Sequence, residues 1–281
     1  MTFLKALKQA EAYLQECGIA DAKTDAWYLL EYMLKDHYQE VSKTWYLLHQ
    51  MEEMTDVEYA EYQFLVTERG TRRPLQHITG QQEFMGLDFI VNDKVLVPRQ
   101  DTETLVEEAL KHCQPGQQIL DMCTGSGCII ISLMVHCHGM TGVASDISKS
   151  ALEVAKENAS RHQVLIDFKD GDLFDNIDGK YDMIVTNPPY IPTDEIIKLE
   201  REVRVFDPRG ALDGKEDGLY FYRKLVIESL GFLKSKGWLI MEIGYDQGAA
   251  VSELMNNAGY SDIKVIKDIA GLERVVSGKK A

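Results

Sequence analysis

At 281 residues the chain exceeds the usual size of one domain and is long enough to bury two unequal cores. Hydrophobic residues make up 45% and charged residues 27%, which is ordinary for a soluble globular protein, and no apolar run reaches membrane-spanning length. The formal net charge of −15 argues against affinity built on wrapping a phosphate backbone, and leaves room for local basic patches such as Arg69, Arg72 and Arg73.

The N-terminus MTFLKALKQAEAYLQECG has helical spacing of apolar residues and lacks the apolar core and cleavage site of a signal peptide, so the protein is expected in the cytoplasm. Residues 1–73 read as a helical bundle. Phe3, Leu4, Leu7, Ala10 and Leu14 recur at helical spacing, followed by Trp27, Leu30, Met33 and Leu34, then by Val57, Tyr59, Ala60, Tyr62, Phe64 and Leu65. Gly18 can close the first helix, and Asp21 or Thr24 can cap the next. The aromatic residues Tyr28, Tyr32, Tyr38, Trp45 and Tyr46 suit core and rim packing, or else a face that binds a partner.

Pro74 and Gly80 interrupt the helical pattern, and Glu83 to Pro98 carries two β-prone runs around Asn92-Asp93. Residues 74–98 therefore read as a hairpin linker, and 99–281 as a second domain. Arg99 to His112 returns to a helix, capped by Asp101 or Thr102. From Gln118 onward strand and helix alternate, with strands at Ile119–Met122, Thr141–Ser145, Val164–Lys169, Asp182–Thr186 and Trp238–Ile243. Helices are expected at Cys128–Val135, Ser148–Arg161, about Asp217–Leu233 and Gln247–Ala258, with two final strands near Ile263–Ile266 and Glu273–Ser277. Such alternation builds an open, mainly parallel α/β sheet with helices on both faces and ligands at the carboxyl ends of its strands. The five cysteines, Cys17, Cys113, Cys123, Cys128 and Cys137, form no CxxC pair or even framework, so disulfides are not expected. His136, Cys137 and His138 are adjacent, so their side chains diverge on any regular element; no metal is expected there.

Two stretches carry chemistry. Met183, Ile184 and Val185 suit a strand buried on both faces, which Pro188 and Pro189 stop at Asn187. Neither proline has an N–H, so carbonyls there lack their usual pairing and can point into a site. Asn187 adds an amide oxygen and Tyr190 a flat ring, a set suited to a planar NH2 group; a plain turn between strand and loop is the bland alternative. The second stretch, Asp121-Met122-Cys123-Thr124-Gly125-Ser126-Gly127, follows a strand and opens a helix, where glycines let the backbone approach a ligand. It is neither GxGxxG nor GxxxxGK[ST], which leaves the pyrophosphate and triphosphate readings little support. Asp146 ends the second strand, where it can accept both hydroxyls of a ribose, and Asp172 follows the third, placed to meet an adenine edge. Three acidic residues at neighbouring strand ends suit a nucleoside cofactor with a positive charge and no phosphate. S-adenosyl-L-methionine is that cofactor.

These two motifs, together with Val97-Pro98-Arg99-Gln100-Asp101-Thr102-Glu103 and Glu242-Ile243-Gly244-Tyr245-Asp246-Gln247-Gly248, resemble the HemK/PrmC-type N5-glutamine methyltransferases of peptide chain release factors. The similarity spans nearly the whole chain. It implies a Rossmann-like methyltransferase domain with a seven-stranded mixed sheet behind a helical bundle, joined by a hairpin. The implied substrate is the glutamine of the GlyGlyGln motif of release factors. By the same resemblance, Cys123, Thr124, Gly125, Ser126, Gly127 and Asp146 hold the cofactor, with Leu173 beside the adenine and Asn187 shared with the substrate. Asn187, Pro188, Pro189 and Tyr190 hold the glutamine. Cys123 stands where the family commonly has glycine and Leu173 where some members have tryptophan. The rival readings are an adenine-N6 or other nucleic-acid amino methyltransferase, for which an NH2 group poses a similar problem, and a non-catalytic cofactor-binding protein. A protein partner, no direct nucleic-acid binding, no membrane and a monomer are expected.

Overall fold

The computed structural model describes Met1–Ala281, and the chain divides into two compact units. The first holds Met1–Gly80 together with Glu200–Phe206, and the second Gln81–Leu199 with Asp207–Ala281.

In the first unit the helices are α1 (Phe3–Glu16), α2 (Ala22–His37), α3 (Lys43–His49), α4 (Asp56–Gly70) and α5 (Leu75–Thr79). Side-chain oxygens satisfy free N–H groups at the starts of α1, α3 and α4. Thr2 Oγ1 accepts from Lys5 N at 3.3 Å, Ser42 Oγ from Trp45 N at 3.1 Å, and Thr55 and Glu58 form a reciprocal capping box on α4. The core joins Phe3, Ala6, Ala10 and Leu14 of α1 to Leu29, Leu30, Met33 and Leu34 of α2 and to Tyr62, Leu65 and Val66 of α4. Several sequence expectations fail here. Val57 and Phe64 are 68% and 64% exposed, because they lie on the face of α4 opposite Tyr62, Leu65 and Val66. Asp21 occupies the N-cap of α2 without a side-chain capping bond. The arginine patch is not open: Arg69 Nε bonds Asp25 at 2.7 Å, Arg72 Nη2 bonds Glu202 at 2.6 Å, and Arg73 pairs with Glu68 at 3.0 Å.

The second unit begins with an antiparallel hairpin, β1 (Gln81–Phe84) and β2 (Leu87–Ile90). Its turn is Met85-Gly86, not Asn92-Asp93. Met85 and Gly86 take φ of 53° and 73°, the positive pair a two-residue hairpin needs, and methionine gives no sign of it in sequence. Asn92 instead forms a turn beyond β2, its Oδ1 accepting Lys94 N at 3.0 Å.

Next come α6 (Gln100–Leu110), β3 (Gln118–Met122), α7 (Cys128–His136), β4 (Thr141–Asp146), α8 (Lys149–Arg161), β5 (Ile166–Asp170) and β6 (Tyr181–Thr186). The N-cap of α6 is Arg99, so Asp101 and Thr102 fall inside its first turn instead of capping it. A stretch the sequence left blank follows, with 3-10 turns at Thr193–Lys198 and Arg209–Ala211 around α9 (Arg201–Phe206). The chain ends with α10 (Tyr220–Phe232), β7 (Leu233–Glu242), α11 (Gly248–Asn257), β8 (Tyr260–Lys267) and β9 (Glu273–Lys280).

The seven-stranded sheet has the order β5-β4-β3-β6-β7-β9-β8, parallel except for β9, which runs antiparallel to both neighbours. Strand alternation sends Ile119, Met183, Val185 and Ile240 to one face, against Leu105, Val106, Ile129 and Leu133 of α6 and α7. Leu120, Met122, Ile184 and Met241 go to the other, against Tyr222, Leu225, Val251 and Met255 of α10 and α11. With both faces covered, the central strands read as continuous apolar runs. The order reverses between β3 and β6, the crevice where an open α/β sheet binds its ligand.

Candidate active site

The carboxyl ends of β3, β4, β6 and β7 bring the site residues together within the second unit. After β3 the chain turns through Cys123, Gly125 and Gly127 at φ of 60°, 56° and 81°. At Gly125 the space a Cβ would occupy is open, so this backbone is accessible to a ligand. Asp146, at the end of β4, accepts Gly125 N through Oδ2 at 2.9 Å and Ser148 N through Oδ1 at 2.8 Å. Each oxygen keeps a lone pair for a further donor. Burial raises the Asp146 carboxyl above its ordinary range, opposed by these N–H bonds. Deeper in, Asp121 is fully buried, takes the Thr124 hydroxyl on Oδ2 at 2.6 Å and leaves Oδ1 unpartnered; burial pushes it up to about 7. The Cys123 thiol is pushed up by burial and by Asp146, so it stays protonated.

Leu173 is buried at φ 51°, while Asp172 is exposed and lies 4.0 Å from Lys224. Of the three acidic residues at strand ends, Asp121 is thus wholly buried, Asp146 partly exposed and Asp172 exposed.

At the end of β6, Asn187 Nδ2 donates to Thr102 Oγ1 at 3.4 Å, and Asn187 Oδ1 receives no hydrogen bond from the protein. No backbone N–H is directed to the Pro188 carbonyl. Pro188 and Pro189 are buried. Tyr190 is braced from several sides. Its hydroxyl donates to Glu242 Oε1 at 3.2 Å, and its carbonyl accepts Gln247 Nε2 at 3.0 Å. Gly214 and Gly218 press on its backbone: a Cβ at Gly214 would lie 2.7 Å from Tyr190 Cα, and one at Gly218 would collide with the Tyr190 carbonyl oxygen.

The sequence reading singled out neither Gly214 nor Gly218, and gave Thr102, Glu242 and Gln247 no role in the site. Glu242 carried the same signal as Asp121 and Asp146, an acidic residue at the carboxyl end of a buried strand. Thr102 and Gln247 sat in the two outlying segments of the resemblance. A cleft of about 550 Å³ runs on from Tyr190 between Pro192, Leu199, Leu219 and Tyr245.

Two family models match the chain, the PrmC N-terminal domain over residues 5–80 and the methyltransferase small domain over residues 100–200. A release factor glutamine methyltransferase from Geobacter sulfurreducens is 38% identical over 279 residues, 99% of this chain and 96% of that protein. One from Clostridium acetobutylicum is 37% identical, covering 98% of each. The chain belongs to the release factor glutamine methyltransferase family. Among solved structures, a methyltransferase from Pyrococcus furiosus matches 70% of this chain and 90% of its own with a TM-score of 0.53 at 18% identity, a likeness of fold. SMU.776, solved in complex with SAH, matches with a TM-score of 0.52 at 13% identity, over 71% of this chain and 56% of its own. For a methyltransferase of this family, an accessible glycine turn beside a half-buried carboxylate with spare lone pairs fits S-adenosylmethionine.

Proposed function

We propose that Asn187 Oδ1 and the Pro188 carbonyl hold the side-chain carboxamide of the glutamine in a release factor's GlyGlyGln motif, so that its N5 nitrogen is methylated. The observation that carries this reading is that both oxygens are free of protein donors while the groups around them are tied down. An amide nitrogen is a poor nucleophile because its lone pair is delocalised into the carbonyl. Two acceptors, each taking one N–H, fix the nitrogen's direction and favour the positive charge that builds on it. Tyr190, anchored at hydroxyl and carbonyl, supplies a flat wall for the planar group. The N-methylated cationic amide is very acidic and loses its proton readily, so the site needs no strong base.

S-adenosylmethionine supplies the methyl group from its sulfonium and is released as S-adenosylhomocysteine. On this reading the Cys123–Gly127 turn approaches it with its backbone, Asp146 accepts the ribose hydroxyls, Asp172 and Leu173 border the adenine, and Asn187 faces both ligands. The helical residues 1–73 are the docking candidate for the release factor, 74–98 the linker and 99–281 the methyltransferase domain. The partner is a protein and not a nucleic acid, supported by the net charge of −15 and by the pairing of Arg69, Arg72 and Arg73 with carboxylates. The reading takes the protein as a cytoplasmic monomer; no helix is long and apolar enough to cross a membrane.

The test is mass spectrometry of a release factor incubated with the protein and S-adenosylmethionine. One methyl on the GlyGlyGln glutamine is expected, and labelled donor should leave DNA and RNA unlabelled. Methylation of nucleic acid with an unmodified release factor would replace this reading with the adenine-type one.

A further inference from the structure

Glu242 closes β7 beside the Asn187 turn and is 2% exposed. Its Oε1 accepts the Tyr190 hydroxyl at 3.2 Å, and its Oε2 has no hydrogen-bond partner. Its backbone carbonyl accepts Tyr222 Oη at 2.8 Å. The titratable and charged groups around it are Tyr190 beyond β6, Tyr222 on α10, Asp101 on α6, Cys128 on α7 and Arg274 on β9, and the Thr102 hydroxyl also faces it. Arg274 is no dedicated counter-ion, since it bonds Asp268 at 3.0 Å and Asp101 at 3.2 Å. A buried carboxylate with an idle oxygen destabilises a fold, and such a group calls for a role.

Thr102 lies between Glu242 and the acceptor: its hydroxyl faces Glu242 without a formed hydrogen bond, and its Oγ1 is the partner of Asn187 Nδ2 at 3.4 Å. A hydroxyl has one proton. If Thr102 gives that proton to Glu242, the lone pair it turns to Asn187 can only accept, which selects Nδ2 on the Thr102 side and leaves Oδ1 outward.

We infer that Glu242 is a positioning residue for the methyl acceptor: as a carboxylate it draws the hydroxyl protons of Tyr190 and Thr102, fixing the Tyr190 ring and making Asn187 present its oxygen to the substrate carboxamide. The inference rests on the reading of Asn187 as the carboxamide acceptor. Burial pushes the Glu242 carboxyl up to about 7. Once protonated, Glu242 can donate to Thr102, whose own proton then turns toward Asn187 and favours the flipped amide. Turnover therefore rises as pH rises through neutrality.

The test compares Glu242→Gln with the unaltered chain in steady-state methylation of a release factor between about pH 6 and 9, with S-adenosylhomocysteine affinity by calorimetry. Glutamine keeps the volume but offers N–H protons where the carboxylate only accepts. Expected are a fall in kcat of about tenfold or more above neutrality, loss of the rise through neutral pH, and little change in KM for S-adenosylmethionine or in S-adenosylhomocysteine affinity. Thr102→Val should lose a similar factor alone, add little to Glu242→Gln, and be rescued by Thr102→Ser. A Glu242→Gln enzyme with unchanged kcat and pH profile, a loss mirrored in S-adenosylhomocysteine affinity, or additive effects of the two substitutions would overturn the inference. Should Glu242→Gln not fold, Thr102→Val at full kcat overturns it equally. Asn187→Ala is assayed alongside. If it stays active, the reading of the site fails; if it is inactive while Glu242→Gln is unimpaired, only the role of Glu242 fails.

Discussion

Asn187 has two polar atoms in different surroundings. Its nitrogen is held by Thr102, and its oxygen is free for a ligand. Asn187→Ala is expected to lower kcat by about a hundredfold, the order lost when one preorganised hydrogen-bonding group is removed from a charge-developing site. S-adenosylhomocysteine affinity, read by calorimetry, should change little. Asp146→Ala should do the reverse. It strips the acceptor from Gly125 N and Ser148 N and, on the proposed reading, from the ribose, so cofactor affinity should fall about tenfold or more, which the same titration measures. A third expectation concerns pH. Asp121 is fully buried and pushed up to about 7, so its folded form holds a proton that the unfolded chain releases near the ordinary carboxylate range. Its contribution to stability is complete below that range and is lost as pH rises through about 7. Asp121→Asn, whose oxygen can still take the Thr124 hydroxyl, should therefore lose less Tm than the unaltered chain between about pH 5 and 8, by a few degrees. An equal fall in both proteins would contradict the assignment.

At the scale of elements, the site depends on where β6 is forced to stop and on what presses against its end. The stop was legible: an apolar triplet and two prolines leave a strand no way to continue past Asn187. What presses was not. Gly214 and Gly218 lie more than twenty residues beyond the motif, one in a stretch with no periodicity and the other at the start of an expected helix, and a glycine needed for close approach looks in sequence like one needed for a turn. Gly218, at φ +74° against the Tyr190 carbonyl, is expected to tolerate alanine poorly. Gly218→Ala should lower kcat and destabilise the chain by about 2 kcal/mol or more, seen as a lower urea midpoint. The hairpin was misplaced for a related reason, since Met85 adopts positive φ under tertiary constraint and carries no turn signature. Helix caps were partly readable. Thr2, Ser42 and the Thr55–Glu58 box fit the rules, while Arg99 starts α6 with no side-chain bond and leaves Thr102 free to meet Asn187.

Across the whole molecule, strand and helix alternation implied the parallel sheet, and the order β5-β4-β3-β6-β7-β9-β8 fixes where its crevice opens. Pairing order itself is not written in local periodicity; it follows from right-handed crossovers and from both sheet faces needing cover. Nor did local pattern show that Glu200–Phe206 belongs to the helical unit, where Glu202 pairs with Arg69 and Arg72, remote in sequence. Both sides of the site carried a signal in sequence, glycines and acids at strand ends on one and two prolines that leave carbonyls short of partners on the other; which oxygens stay free depends on donors that only the fold brings near. The central claim is that those free oxygens at the end of β6 hold a glutamine carboxamide. Its most direct test is the mass of the GlyGlyGln peptide from a release factor incubated with S-adenosylmethionine and either the unaltered chain or Asn187→Ala. One added methyl on the glutamine with the first, and almost none with a second that still binds S-adenosylhomocysteine, is the expected result; equal methylation by both would contradict it.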